Sequence, residues 1–252
     1  MINRIITKFK RDGLVSIVIA AAKYAFNSKK RKTFKAMLEK ESIADKFSEI
    51  YKYNLWSSSE SLSGVGSEVE YTKPLRNWLT KNIPTLNVKS FVDAPCGDFN
   101  WMKLVLPYLD VSYLGLDIVE SVIKKNKSLY SSERINFNVM DICEDKIPDC
   151  DLLMVRDCLF HLSYEDSERF LKNLKDTKYK YLLTTTHCVE DGFRNTNIVT
   201  GDWRLINLFS EPFNFNEKVI KDRVIDSPDG YPVTREMILV HKKDVPTNLS
   251  SV

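Results

Sequence analysis

The sequence predicts an α/β protein with a doubly wound, mostly parallel sheet of seven strands, preceded by an N-terminal helical cap. From about residue 88, short apolar runs alternate with stretches of helical apolar spacing, an order typical of parallel sheets. Three of the apolar runs end on an aspartate. The last two runs flank the turn signal SPDGYP and predict a closing antiparallel hairpin. We therefore assign residues 1–85 to a helical segment and cap, and residues 86–252 to the sheet domain.

The cap is predicted from three consecutive stretches. Residues 34–53 carry apolar side chains at helical spacing and predict one or two helices. Residues 57–67, rich in serine and glycine, predict a loop. Residues 70–82 predict a helix with Pro74 in its first turn, a position that tolerates the missing N–H.

The elements of the sheet domain follow in order. Each strand is a short apolar run, and the third helix opens on a Ser/Asp-rich cap. The predicted strands are residues 90–94, 112–118, 135–141, 151–157 and 179–187, then the hairpin arms 217–226 and 234–243; the predicted helices are residues 101–109, 119–131 and 163–177.

The composition is that of a globular protein, with 43% hydrophobic and 28% charged residues among 252. This length suffices for one α/β domain with additional elements. The five cysteines are irregularly spaced and form no CxxC pair. They argue against a disulfide framework or a zinc knuckle and favour the reducing cytoplasm.

Positive charge is concentrated at the N-terminus. Residues 1–40 hold eleven Lys/Arg against two Asp/Glu, a net +9, whereas residues 41–252 hold 26 against 32, a net −6. The apolar run LVSIVIAAAKYAF (14–26) is shorter than the roughly 20 residues of a membrane span. We expect a helix packed on the body or on a second subunit; the alternatives are peripheral contact of residues 1–32 with the inner membrane face, or contact with nucleic acid.

Acidic residues end three successive strands: Asp93, Asp117 and Asp141, at equal intervals of 24 residues. Ligands of open α/β sheets bind beyond the carboxyl ends of the strands. A carboxylate there can accept two hydrogen bonds from a ribose diol. The alternative is that each aspartate forms a turn or caps a helix.

The stretches FVDAPCGDF, YLGLD and NVMDI, in this order, resemble the first three motifs of class I S-adenosylmethionine-dependent methyltransferases. The resemblance covers about residues 88–242 and implies a Rossmann-like methyltransferase fold with S-adenosylmethionine as cofactor. It places the methionine moiety at Asp93 and Gly97, the ribose at Asp117, and the adenine at Asp141 and Ile142. The full set of cofactor-binding residues expected from it is Asp93, Ala94, Pro95, Gly97, Asp117, Ile118, Asp141, Ile142 and Arg156.

Pro95 and Phe99 stand where this superfamily usually has glycine. A pyrophosphate needs several close backbone N–H donors, which glycines allow. S-adenosylmethionine has no phosphate and tolerates a loop with fewer glycines. Together with the absence of GxGxxG, the substitutions argue against an NAD-dependent dehydrogenase.

The stretches DAPCGDFNWM, RDCLFHLS and NTNIVTGDWRLINL resemble, more narrowly, small bacterial methyltransferase-domain proteins associated with surface-glycan gene clusters. In RDCLFHLS, His161 follows Asp157 by four residues, so one helical turn would bring both to one pocket. We predict His161 as the base that deprotonates an acceptor hydroxyl and Asp157 as the carboxylate that orients it. The alternatives are a packing role for His161 and His187 as the base; His241 is expected to be structural.

Two further groups of residues are candidates for binding. Thr72 and Arg76 lie four residues apart and could reach the methionine carboxylate, or form ordinary helix surface. Residues 187–209 form a long polar loop whose aromatic and polar side chains suit a sugar; a structured surface loop or a dimer contact is the alternative. The substrate contacts expected in it are Arg194, Asn195, Asn197, Asp202, Trp203 and Arg204.

The function predicted from these observations is O-methylation of a hydroxyl on a sugar or surface-glycan precursor. A methyltransferase for nucleic acids or other small molecules, or a non-catalytic cofactor- or glycan-binding module, is the alternative. Residues 41–252 are net acidic and lack an N/D-P-P-Y motif, which argues against nucleic acid. No metal-ligand cluster is visible in the sequence, although Asp157, His161 and Asp202 could assemble one in space.

Overall fold

The computed structural model describes residues 29–229 and 234–250. Its centre is a seven-stranded sheet in the order β3-β2-β1-β4-β5-β7-β6. The strands are β1 Ser90–Asp93, β2 Ser112–Asp117, β3 Ile135–Val139, β4 Cys150–Val155, β5 Tyr179–His187, β6 Asp222–Ile225 and β7 Arg235–His241.

The pairing of the strands confirms the predicted doubly wound, mostly parallel sheet. Strands β1 to β5 run parallel, whereas β7 pairs antiparallel with both β5 and β6. The chain order reverses between β1 and β4, so this pair forms the switch point beyond which ligands of such sheets bind. Residues 230–233, part of the predicted hairpin turn, lie outside the described residues.

Five α-helices accompany the sheet in the described part of the chain. Ser42 and Ser163 cap two of them, because each side chain accepts a hydrogen bond from an N–H of the first turn. Pro74 lies in the first turn of a third, as predicted. The helices are α1 with residues 29–38 described, α2 Ile43–Lys52, α3 Lys73–Asn82, α4 Glu120–Tyr130 and α5 Tyr164–Asp176.

Two predicted elements differ from the structure. Residues 101–109 form two short 3-10 turns, Met102–Leu104 and Leu106–Tyr108, instead of an α-helix. Pro107 explains the break, because it lacks an N–H and its ring clashes with the carbonyl four residues earlier. The arm predicted from residue 217 begins with a 3-10 turn, since Asn216 accepts a hydrogen bond from the Lys218 N–H, and β6 starts at Asp222.

The core lies on both faces of the sheet. Along β4, Leu152 and Met154 face one hydrophobic cluster, and Leu153 and Val155 face the other. Burial on both faces is typical of central parallel strands and explains why β4 reads as a continuous apolar run. Helix α5 packs on one face, and α3 and α4 pack on the other.

No helix among the described residues is long and apolar enough to cross a bilayer. The apolar run 14–26 lies outside those residues, so its predicted packing or membrane contact stays a prediction. The boundary predicted near residue 85 also stays a prediction.

Candidate functional site

A pocket of about 860 Å³, counting space open to solvent, lies at the carboxyl ends of the parallel strands. The sheet side of the pocket is formed by strand ends and the loops that follow them. Its residues are Asp93, Pro95, Cys96, Gly97, Trp101, Leu116, Asp117, Ile118, Met140, Asp141, Ile142, Cys143, Arg156, Asp157, Cys158, His161 and Leu162.

The opposite side of the pocket, which we call the roof, belongs to the cap. Helix α2 contributes Ile43, Phe47 and Tyr51, which recur every four residues and so share one helical face. The loop after α2 contributes Trp56, Ser63 and Ser67. The α2 residues were not predicted to line a site, because their spacing is equally typical of a helix packed on a core.

Gly97 is the glycine that the loop after β1 requires. Its φ of +57° is in the left-handed region, and a Cβ atom there would clash with Ser63 Oγ of the roof. Its N–H donates to Asp117 Oδ2 over 3.0 Å, and its carbonyl accepts from Asn126 Nδ2 over 2.8 Å. The loop is thus fixed to β2, to α4 and, by close packing, to the roof.

Phe99 also has a left-handed backbone, with φ of +59°. This conformation costs a residue with a side chain about 1–2 kcal/mol. The ring is buried against Tyr113, Tyr130 and Phe137, with centroids 5.0–5.5 Å apart. Burial of a phenylalanine contributes about 1.5–3 kcal/mol, which offsets the strain where the resemblance has glycine.

Asp98 joins the same loop to the roof. Its carboxylate accepts hydrogen bonds from Ser61 Oγ at 2.9 Å and from the Leu62 N–H at 2.8 Å. Its own N–H donates to Ser63 Oγ at 2.9 Å. The serine-rich stretch therefore closes over the pocket through contacts with a loop of the sheet domain.

Asp93 and Asp117 are buried acids at the ends of β1 and β2. Burial raises the pKa of Asp93 to about 7, although the Tyr113 hydroxyl donates to it over 2.8 Å. Burial raises the pKa of Asp117 to about 6, against the N–H donors of Val119 and Gly97. These two donors bind different oxygens of Asp117, and the carboxylate can accept a further hydrogen bond from a ligand.

Asp141 and its neighbours form a third side of the pocket. Burial raises the pKa of Asp141, whose Oδ1 accepts from the Cys143 N–H at 2.9 Å. Ile118 and Ile142 provide apolar surface beside it. Ala94 is buried and does not line the pocket; its N–H donates to the Met154 carbonyl over 2.9 Å.

Arg156 and Asp157, after β4, belong to a buried ion network. Arg156 Nε donates to Asp226 at 2.8 Å, and one of its NH2 groups donates to the Gly66 carbonyl at 2.7 Å. Asp157 accepts from Arg235 at 2.7 Å and lies 3.2 Å from Arg156. Burial opposes ionisation of Asp157, but the two arginines outweigh it and lower its pKa.

His161 lies in a 3-10 turn, Leu159–His161, with its ring against the pocket. Its Nδ1 is 2.8 Å from the carbonyl oxygen of Asp202, which can only accept, so Nδ1 carries the proton. Burial lowers the pKa of His161, which keeps the imidazole neutral near pH 7. Nε2 makes no hydrogen bond to a described residue and retains the basic lone pair.

The orienting group of His161 is therefore the backbone of Asp202. The carboxylate of Asp157, predicted for that role, is taken up by Arg156 and Arg235 and makes no hydrogen bond to the imidazole. Both side chains nevertheless line the same pocket, as the four-residue spacing indicated.

His187 is buried away from the pocket. Its Nδ1 accepts from the Ile206 N–H at 3.1 Å, and burial lowers its pKa to about 4. This contact joins the end of β5 to the following loop, so His187 has a structural role.

Thr72 and Arg76 do not line the pocket either. Thr72 is fully buried and donates to the Glu68 carbonyl at 3.0 Å, and Arg76 donates to the Val69 carbonyl at 2.9 Å. Both bind the turn that precedes α3, so they stabilise the cap and do not reach the pocket, contrary to the prediction.

None of the six residues predicted in the long loop lines the pocket. Asn195 donates to the carbonyls of Asn207 and Glu211, each at 2.8 Å. Asn197 accepts from the N–H of Tyr164, at the start of α5, over 2.8 Å. Their side chains stabilise the loop and the helix it crosses.

The other four predicted residues also lie outside the pocket. Arg204 is buried over the Tyr164 ring at 4.9 Å and donates to the Leu159 carbonyl. Arg194 and Trp203 are exposed, and Asp202 contributes its backbone oxygen to His161. Among the described residues, no group of three His, Cys, Asp or Glu could hold a metal ion, so Asp157, His161 and Asp202 do not form such a site.

No protein-family model and no curated protein sequence matches this chain. Solved structures do match. A SAM-dependent methyltransferase from Leishmania major is 14% identical over 83% of this chain and 90% of its own, with a TM-score of 0.58. The Burkholderia thailandensis 1,6-didemethyltoxoflavin-N1-methyltransferase, with bound 1,6-didemethyltoxoflavin and S-adenosylhomocysteine, is 13% identical over 70% and 80%, with a TM-score of 0.55.

Human N-acetylserotonin methyltransferase, in complex with SAM, is 12% identical over 94% of this chain and 69% of its own, with a TM-score of 0.50. At these identities the matches establish the fold. The chain has the fold of class I S-adenosylmethionine-dependent methyltransferases, and the resemblance seen in its sequence is confirmed at that level.

Proposed function

We propose that the protein is an S-adenosylmethionine-dependent methyltransferase that methylates a hydroxyl of a sugar or surface-glycan precursor. The observation that carries the proposal is the arrangement of His161. A neutral imidazole, held at Nδ1 by a carbonyl and open at Nε2, lines the same pocket as Asp93, Asp117 and Asp141.

The residues of the pocket fit the cofactor. Of the four aspartates that line it, Asp157 is already paired with two arginines, whereas Asp117 and Asp141 make no ion pair with a described residue and favour a ligand that carries positive charge. Asp117 can still accept from a ribose hydroxyl, and the isoleucines beside Asp141 suit a flat adenine ring. When bound, S-adenosylmethionine supplies an electrophilic methyl group on its sulfonium.

The chain itself would supply a base and an enclosed, aligned site. His161 Nε2 takes the proton of the acceptor hydroxyl as the oxygen attacks, a contribution worth roughly 10²–10⁴-fold in rate. The hydrogen bond to the Asp202 carbonyl keeps a proton on Nδ1, so Nε2 is the nitrogen that accepts the proton of the hydroxyl. The roof excludes water and holds the acceptor in line, which supplies much of the remaining acceleration.

A neutral ring is the acceptor that best suits this pocket. A phosphate close to the reacting hydroxyl would meet the lining aspartates, whose charges repel it. Trp56, which lines the pocket, lies 5.4 Å from the His161 ring. An aromatic face of this kind can stack on the apolar face of a sugar. Repulsion by the aspartates would keep any phosphate of the precursor outside the pocket.

We place the activity in the cytoplasm. All five cysteines are unpaired in the structure, which suits a reducing compartment. No observation on the pocket calls for a nucleic acid as substrate.

The proposal is tested with labelled S-adenosylmethionine and a panel of free sugars, glycosides, nucleotide sugars and glycan extracts. We expect label on a sugar hydroxyl, and its loss in His161→Gln while calorimetry still shows binding of S-adenosylhomocysteine. Absence of cofactor binding would overturn the proposal. Binding without transfer would indicate a non-catalytic module, and label in RNA or DNA would indicate the nucleic-acid alternative.

A further inference from the structure

Helix α1 presents one face to the roof and the other to solvent. Met37 is buried in a cluster with Ile50 and Leu55, and Phe34 and Leu38 of the same helix also pack against this cluster. Lys30 also turns inward and donates to the Asn54 carbonyl over 2.8 Å. These contacts fix the rotation of the helix about its axis. Lys29, Lys32 and Lys35 are exposed on its outer face, and Arg31, seven residues before Leu38, is exposed at the edge between the two faces.

The exposed side of α1 is cationic. None of these four basic side chains makes an ion pair within 4 Å with a residue in the described part of the chain. Residues 41–252, which follow α1 in the chain, have a net charge of −6. A ligand attracted to this face must therefore be anionic and must contact α1 without spreading over the acidic body.

The same helix adjoins the candidate site. A methyl group placed at Gly201 would lie 3.3 Å from Sδ of Met37 and 3.6 Å from a methyl carbon of Leu38. The next residue, Asp202, holds His161 through its carbonyl. The inner face of α1 thus packs beside the base, and its basic face lies on the opposite side of the helix.

We propose that the outer face of α1 docks the protein on an anionic lipid surface. A planar surface can touch this face alone, whereas a polynucleotide long enough to bind tightly would also meet the acidic body. Each basic side chain near an anionic leaflet strengthens binding about fivefold. The inference stands independently of methyl transfer.

The test is sedimentation of the full chain with phosphatidylcholine vesicles, with and without phosphatidylglycerol, in the absence of cofactor. The variant Arg31→Gln/Lys32→Gln/Lys35→Gln removes three charges from α1. Its matched control, Lys124→Gln/Lys125→Gln/Lys127→Gln, removes three exposed charges from α4. We expect the α1 variant to weaken partitioning on the order of a hundredfold and the α4 variant less than about threefold, with binding of the unaltered chain lost at high salt.

Several outcomes would overturn the proposal: no binding to phosphatidylglycerol vesicles, equal binding to neutral vesicles, or equal losses in the two variants. Tight RNA binding without vesicle binding would reassign the face to nucleic acid. Circular dichroism and thermal melts check that both variants fold. The charge-preserving variant Lys29→Arg/Lys32→Arg/Lys35→Arg must retain binding, and its failure would also contradict docking by charge.

Discussion

Two polar regions of this protein were both predicted to bind a ligand, but only one of them lines the pocket. The strand-end acids Asp93, Asp117 and Asp141 line one pocket. The residues of the long loop after β5, such as Asn195 and Asn197, bind backbone groups of that loop and of α5. Polarity and position after a strand were alike in both regions.

The difference lies in what the surrounding backbone requires. A strand satisfies its own N–H and C=O groups in the ladder. An acid at its end accepts from a few N–H groups of neighbouring loops, as Asp117 and Asp141 do, and can still accept from a ligand. A loop lacks a ladder, and its own side chains must satisfy its backbone. The loop still serves the site, but through a main-chain atom, the carbonyl oxygen of Asp202.

The largest effect is expected at His161, where the two regions meet. His161→Gln should lower the methyl-transfer rate by roughly 10²–10⁴-fold, because the acceptor hydroxyl loses its base. Single-turnover assays measure the rate, and calorimetry with S-adenosylhomocysteine should show unchanged affinity. His187→Gln is the control, since His187 lies off the pocket, and should change the rate only a few-fold; a larger loss there would contradict the assignment of the base.

Asp93 should make the protein less stable as the pH rises. Burial raises its pKa to about 7 from an ordinary value of 3.8, so the folded state keeps a proton that the unfolded chain has lost. The free energy of unfolding should therefore fall between about pH 4 and pH 7, by about 4 kcal/mol in all. Urea titrations across this range measure the slope, and Asp93→Asn should flatten it. Equal slopes for both proteins would show that the aspartate titrates normally.

Asp117→Asn tests whether a strand-end acid binds the ligand. The asparagine keeps one oxygen as an acceptor and loses the second, so we expect S-adenosylhomocysteine to bind on the order of a hundredfold more weakly. Calorimetry measures the affinity. Asn195→Ala, in the loop, should leave affinity unchanged, and a comparable loss there would remove the distinction between the two regions.

The smallest effect is expected from Asn197→Ala. This change removes the acceptor for the Tyr164 and Ile198 N–H groups and should cost about 1 kcal/mol of stability, as for a lost helix cap. Chemical denaturation measures the loss. Affinity for S-adenosylhomocysteine should not change; if it falls while stability is retained, the loop side chains contact the ligand after all.

The central sheet was accessible from the sequence because its signals are local. A short apolar run such as that of β4, followed by an acid or a helix cap, predicts a buried strand. Parallel strands then bring their carboxyl ends to one edge of the sheet. The helix expected at residues 101–109 failed because Pro107 overrides the apolar spacing on which the prediction rested. The α2 face of the pocket was not recognisable, because the stripe Ile43, Phe47 and Tyr51 would look the same on a helix buried in a core.

The sequence by itself determined the alternation of strands and helices, the acids at the strand ends and the four-residue spacing of Asp157 and His161. Tertiary structure alone decided which polar groups remain available. Arg235, 78 residues away, binds Asp157, and the Asp202 carbonyl, 41 residues away, orients His161. The physical reason is that periodicity and strand order are carried by neighbouring residues, whereas a hydrogen-bonding partner is set by contacts that exist only after the chain has folded.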